Sequence, residues 1–164
     1  MKKITVRKAV TGDAEAIAQL LTEVGKVHSE GRSDIYQSDL TKFDAEGVAR
    51  MIERGEYLAF VAEEDGKVCG ETICRVYERA ADGTYKARKW LYVDDLCVTE
   101  SMRGSYAAEK LMKAAEKYAA ECGCVSVELN CWAFNKRAAR FYEKCGYAPQ
   151  KTEYEKILRN RKGE

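Results

Sequence analysis

The chain has almost no proline: Pro149 is the only one in 164 residues. A Pro-rich linker or extended recognition tract is therefore excluded. Charge of one sign is missing too. The 28 basic and 27 acidic side chains leave a net charge of +1, without the basic excess or stripe that a nucleic-acid binder carries. The only basic cluster, Arg159, Arg161 and Lys162, reads as a solvated end. No run approaches the ~18 apolar residues of a membrane span. The opening Met-Lys-Lys-Ile-Thr-Val-Arg-Lys lacks the apolar stretch of a signal peptide. There is one histidine, His28. The seven cysteines are odd in number, and Cys122-Gly-Cys124 is one residue short of a metal knuckle with no second pair to complete it. Free thiols in a reducing cytoplasm, with no metal, no membrane and no nucleic-acid partner, are the expectation.

What is present suits one globular domain over 1–164: 46% hydrophobic and 34% charged residues. Ile4–Val6 reads as a strand. Thr11 is the expected N-cap of a first helix, with Asp13 and Glu15 in its first turn and Ile17, Leu20, Leu21, Val24 and Val27 at helical spacing. A polar stretch over about 29–41 precedes a second helix, capped by Asp44 and ended near Gly55. The period then shortens. Tyr57–Ala62 and Val68–Tyr77 read as strands joined by an Asp65-Gly66 turn, and Trp90–Val98 as a third. A helix over 105–121, a strand over 125–131, a helix over 136–144 and a last strand over 152–158 follow, with room for a short strand at Tyr147. The order β-α-α-β-β-β-α-β-α-β implies an α/β fold: a mixed, mostly antiparallel sheet of six to seven strands flanked by about four helices.

Chemistry concentrates in two segments. The first, Tyr92-Val-Asp-Asp-Leu-Cys-Val-Thr-Glu-Ser-Met-Arg-Gly-Ser-Tyr-Ala-Ala108, is strand, turn and helix start. A Gly-containing turn of small residues at a helix N-terminus presents unpaired N–H groups and positive potential, a site for pyrophosphate. The Gly-x-Gly-x-x-Gly of a Rossmann unit and a Walker lysine are both absent. Two adjacent acids, Asp94 and Asp95, interrupt an apolar strand, which is costly without a purpose or a basic partner. Strict alternation puts Tyr92, Asp94 and Leu96 on one face and Val93, Asp95 and Cys97 on the other. The second segment, Asn135-Lys-Arg-Ala-Ala-Arg-Phe-Tyr-Glu-Lys-Cys-Gly-Tyr147, carries Tyr142 and Asn135.

Together these segments resemble the GNAT superfamily of N-acetyltransferases. Arg103-Gly104-Ser105-Tyr106-Ala107-Ala108 is similar to the family's Arg/Gln-x-x-Gly-x-Gly/Ala signature. Asn135, Ala138, Phe141, Tyr142, Glu143, Lys144, Gly146 and Tyr147 match its Asn-x-x-Ala-x-x-Phe-Tyr-Glu-Lys-x-Gly-Phe block. The resemblance implies acetyl-CoA as co-substrate and an amine on a small molecule, peptide or protein as acceptor. It places Arg103–Ala108 around the pyrophosphate and the Leu96, Cys97 and Val98 backbone along the pantetheine, with the Leu96 N–H toward the thioester oxygen. Asn135 would bond the pantetheine arm or cap the following helix. Tyr142 would be the acid that protonates the leaving sulfur. Asp94 would be the base, with a bulge near Leu96 able to bring Asp95 into play. The acceptor would meet the variable region of His28, Asp34 and Tyr36, together with Tyr92. Tyr106 stands where the family has glycine and is expected to point outward. An acyl-enzyme through Cys97 is disfavoured because its side chain should face away from Tyr92 and Asp94. The rival class is a non-catalytic acyl-CoA-binding or regulatory domain, and a homodimer is allowed for. No motif names the acceptor.

Overall fold

A computed structural model describes residues 3–38 and 41–158, so the basic cluster Arg159, Arg161 and Lys162 lies outside the described residues. The elements are β1 (Ile4–Lys8), α1 (Ala14–Gly31), α2 (Ala45–Arg54), β2 (Leu58–Glu64), β3 (Lys67–Arg79), β4 (Arg88–Val98), α3 (Ala107–Glu121), β5 (Ser126–Leu129) and α4 (Lys136–Lys144). Local chemistry explains several boundaries. Asp44 accepts from the Gly47 N–H at 2.7 Å and starts α2, and Gly55 ends it in the left-handed region. The Asp65-Gly66 turn has φ of 52° and 75°, as a two-residue hairpin turn requires. At α1 the expected cap fails. Thr11–Asp13 form a short 3-10 turn, and Asp13 accepts from the Val10 N–H at 2.8 Å and from Arg7 at 2.7 and 2.9 Å. Asp13 stands at the N-cap of α1, but its carboxylate is committed to Arg7 and Val10 and caps no helical N–H.

The five strands lie in the order β1-β2-β3-β4-β5. The first four are antiparallel neighbours and β5 runs parallel to β4. Helices α1 and α2 cover one face, where Ile17, Leu21, Val48 and Met51 meet Ala59, Val61 and Ile73. Helix α3 covers the other, where Leu111, Met112 and Ala115 meet Phe60, Ala62, Leu91 and Val93. Each buried Ile, Leu, Val, Met or Phe among these contributes roughly 1.5–3 kcal/mol.

The sheet therefore has five strands among the described residues, not six to seven. Residues 151–158 follow α4 without strand pairing, and Tyr154, Ile157 and Leu158 are 92%, 65% and 83% exposed. A strand-like alternation makes a strand only when an edge receives its N–H and C=O groups, and here none does. No strand forms at Tyr147, whose hydroxyl instead donates to Glu116 at 2.8 Å.

Two features position the site. First, β4 carries a bulge: Ile73 pairs with Asp95 and Cys74 with Val93, so Asp94 is the extra residue. Thr72 Oγ1 donates to the Asp95 carbonyl at 3.0 Å across it. Second, the β4–β5 ladder ends at Val93–Leu129, while β4 continues to Val98. The two parallel strands part there and leave the β4 edge free from Asp94 onward among the described residues.

Candidate active site

The bulge overturns the strict alternation of β4. Leu91, Val93, Leu96 and Val98 all pack toward α3. Asp95 and Cys97 face α1 together with Glu71 and Ile73, their cross-strand neighbours on β3. The bulge expected near Leu96 is present, with Asp94 as its extra residue, and it brings Asp95 to the face that carries Tyr92.

Three carboxyls meet near the parting strands. Glu71 is fully buried, and neither carboxyl oxygen has a hydrogen-bond partner. Burial first, then the neighbouring Asp95, holds its carboxyl well above the usual range, with Lys42 and the Cys97 backbone opposing. A charged carboxylate there would cost several kcal/mol, which favours the protonated acid. Asp94 has one buried oxygen without a partner. Burial raises its pKa, Lys42 and Arg75 lower it, and Asp95 raises it. Asp95 accepts from Lys42 Nζ at 2.9 Å. The two adjacent acids thus have different fates: Asp95 has the basic partner that makes a buried acid tolerable, and Asp94 does not.

Tyr142 enters from α4, packed beside Cys74, Leu91 and Val93. Burial is the main reason its hydroxyl stays protonated far above the ordinary tyrosine range. Cys131, Glu71, Cys145 and Asp95 act in the same direction. Its ring thus packs on the α3-side core, with Glu71 and Asp95 close enough to act on its hydroxyl. Burial first, then Asp94, raises the Tyr92 pKa, with the nearby Asn130 side chain opposing.

The turn before α3 presents open backbone N–H groups. Gly104 has φ of 85°, a backbone L-residues avoid, and a Cβ placed there meets nothing within 4 Å. The space in front of the turn is open. The Ser105 N–H donates to Met102 and the Ala107 N–H to Ser105 Oγ. The first intrahelical bond runs from Lys110 to Tyr106, so Ala108 and Glu109 have N–H groups without helical acceptors. The Tyr106 ring is 59% exposed. Arg103 pairs with Glu100 at 3.1 Å. Asn135 uses its side-chain oxygen to cap α4, accepting from the Ala138 N–H at 3.0 Å.

At the C-terminal end of α1, the His28 ring lies 5.1 Å from the Tyr36 ring, and Tyr36 meets Trp132 edge-on with an indole N–H to hydroxyl bond of 3.3 Å. Burial lowers the His28 pKa, with Asp95 pulling it back. Phe134 stacks on Trp132 and covers Gly31, where a Cβ would fall 2.1 Å from the ring. Asp34 is exposed and pairs with Arg32 at 2.8 Å. That guanidinium lies 5.1 Å over Trp132. Cys97 is buried, and its thiol is pushed up to about 12, chiefly by burial. Because the bulge turns Cys97 toward the Asp95 face, burial and a suppressed thiolate are what disfavour it as a nucleophile. All seven cysteines are free thiols.

Glu71, Lys42 and Trp132 escaped the sequence reading. Glu71 had a signal, since it shares strand parity with the inward-facing Ile73. Lys42 reaches Asp95 across 53 residues, and nothing local marks it.

A model of the acetyltransferase (GNAT) family matches residues 20–147. The chain belongs to the GNAT family. It is 30% identical over 145 residues to the uncharacterized N-acetyltransferase YhfO of Bacillus subtilis, covering 88% of this chain and 89% of that one. It is 34% identical over 112 residues to the acetyltransferase Atu2258 of Agrobacterium fabrum, covering 67% and 80%. Among solved structures, a mutant of the BH1408 protein from Bacillus halodurans superposes with a TM-score of 0.88 at 27% identity, covering 94% and 99%. In this GNAT chain, the parted strands, the α3 turn and Tyr142 fall within the span that the family model matches. No helix among the described residues is long and apolar enough to cross a membrane. No group of three or more His, Cys, Asp or Glu among them could hold a metal ion.

Proposed function

We propose that the protein is an acetyl-CoA-dependent N-acetyltransferase that passes the acetyl group directly to an amine, in a reducing cytoplasm. One observation carries this reading: where the β4–β5 ladder ends, Asp94 keeps a buried oxygen without a partner, the hydroxyl of Tyr142 feels the adjacent Asp95, and the open turn before α3 follows the end of β4. Acetyl-CoA supplies an activated acyl group on a sulfur leaving group. The Arg103–Ala108 turn holds the pyrophosphate with its N–H groups and the helix dipole. The free β4 edge from Leu96 to Val98 accepts and donates backbone bonds along the pantetheine arm, and the Leu96 N–H stabilises charge on the thioester oxygen. Asp94 takes the proton of the incoming ammonium, and its raised pKa makes it a better base than an ordinary aspartate. Tyr142 gives a proton to the departing sulfur. His28, Tyr36, Tyr92 and Trp132 shape the acceptor side.

The reading of a non-catalytic acyl-CoA-binding domain drew on Tyr106 crowding the phosphates. A ring that is 59% exposed leaves that reading little support. The test is thiol release from acetyl-CoA across a panel of amines. With an accepted amine in hand, Tyr142→Phe should lower kcat roughly 10- to 10⁴-fold with little change in acetyl-CoA affinity. Wild-type turnover in this variant would remove Tyr142 from the chemistry.

A further inference from the structure

Lys42 comes from the connection between α1 and α2, yet its ammonium group lies among the carboxyls of the central strands. Nζ donates to Asp95 Oδ2 at 2.9 Å, and Asp94 and Glu71 feel its charge. The side chain is 45% exposed, so solvent reaches it. Among the described residues no other lysine pairs with a carboxylate of β4. Asp95 directly precedes Leu96, the residue whose N–H is assigned to the thioester oxygen. An amine of the chain itself therefore stands on the acceptor side of the site, already in contact with a carboxylate that can take its proton.

We propose that Lys42 Nζ is an internal acyl acceptor, so that the protein acetylates itself at this residue when no external amine competes. The inference rests on the acetyl-transfer reading. The Lys42 ammonium passes one proton to the Asp95 carboxylate, which releases it to solvent. The neutral nitrogen forms an N–C bond to the acetyl carbonyl as the C–S bond breaks. The second proton leaves the nitrogen, and the thiolate is protonated through Tyr142, so the products are acetyl-Lys42, free coenzyme A thiol and one proton. Acetylation removes the positive charge of Lys42. Asp95 then loses its counter-ion.

The reaction has a pH signature. Burial works against the Lys42 ammonium, but Asp95, Asp94 and Tyr57 outweigh it and hold the group above the ordinary lysine value. The other groups around this cluster among the described residues include Glu71 and the cation Arg75 of β3, Tyr92 of β4, Tyr142 of α4, and His28 of α1, which sits near Asp95. The neutral amine is thus scarce at pH 7, and its share grows about tenfold per pH unit below the lysine pKa.

The experiment incubates the full chain with isotopically labelled acetyl-CoA at pH 7 and pH 9 without amine and maps the label by peptide mass spectrometry. One acetyl group on Lys42 is expected, appearing at least tenfold faster than on any other lysine and faster at pH 9. Lys42→Arg, which keeps a cation beside Asp95, should carry no label there, and Tyr142→Phe should slow labelling of Lys42 at least tenfold. Label spread evenly over surface lysines, or a Lys42 rate indifferent to Tyr142→Phe, overturns the proposal in favour of solvent chemistry. A parallel amine panel separates the two levels. Amine-dependent thiol release with Lys42 unlabelled overturns the internal acceptor alone, and the absence of both overturns acetyl transfer and the internal acceptor with it.

Discussion

Replacing Glu71 by glutamine is expected to stabilise the protein, and by more as the pH rises. Glu71 is fully buried without a hydrogen-bond partner on either oxygen, and its pKa is raised well above the carboxyl value, first by burial. Such a group binds its proton more tightly in the folded state than in the unfolded one. Below the unfolded pKa, near 4.3, both states are protonated and the group carries no penalty. As pH rises from there, the unfolded chain gains from ionisation while the folded chain does not. The wild type then forfeits about 1.4 kcal/mol per pH unit until the native pKa is passed, after which the loss is constant. Glutamine keeps the shape of the neutral acid and has no such dependence. For a domain of this size, 1 kcal/mol corresponds to about 2–4 °C in Tm. The difference in Tm, variant minus wild type, should be near zero around pH 4 and climb by about 3–5 °C per pH unit before levelling off. Comparing two proteins that differ at one site cancels the other titrating groups. Thermal unfolding in matched buffers from pH 4 to pH 8 measures it. A flat difference, or a wild type that gains on the variant as pH rises, would mean that Glu71 is ionised and paired, and that its environment has been misread.

Gly104→Val should weaken acetyl-CoA binding by at least tenfold, about 1.4 kcal/mol. The new residue must hold φ of 85° and its side chain enters the open space in front of the turn; unchanged affinity by calorimetry would move the pyrophosphate elsewhere. Tyr106→Gly should bind acetyl-CoA as well as or better than the wild type, because the ring is 59% exposed, and a large loss would show that the ring touches the nucleotide. Asp94→Asn should cut the rate most at neutral pH and recover part of it in alkaline solution, where the amine loses its proton unaided. In the wild type, kcat/KM should rise with pH through the raised pKa of Asp94, and a profile identical in the two proteins would assign the base to another group.

Much of this protein is legible in one dimension because the responsible physics is local. Asp44 and Gly55 bound α2, Asp65-Gly66 turns the hairpin, and the apolar spacing of α1 and α3 selects the faces that bury. The block from Asn135 to Tyr147 places Tyr142 on a short helix, with Asn135 at its cap. What tertiary structure decided is whatever depends on a partner distant in the chain. The extra residue at Asp94 exists only relative to β3, and a one-residue slip in register exchanges the two faces of a strand. That slip moved Asp95 and Cys97 to the α1 side. Thr152–Leu158 carry a strand's pattern, yet in this structure no sheet edge takes up their backbone groups. Glu71 and Lys42 follow the same rule. A glutamate in a strand and a lysine in a loop have no special character alone. Only when β3, β4 and the α1–α2 connection are brought together does one become a neutral buried acid and the other an amine held against Asp95.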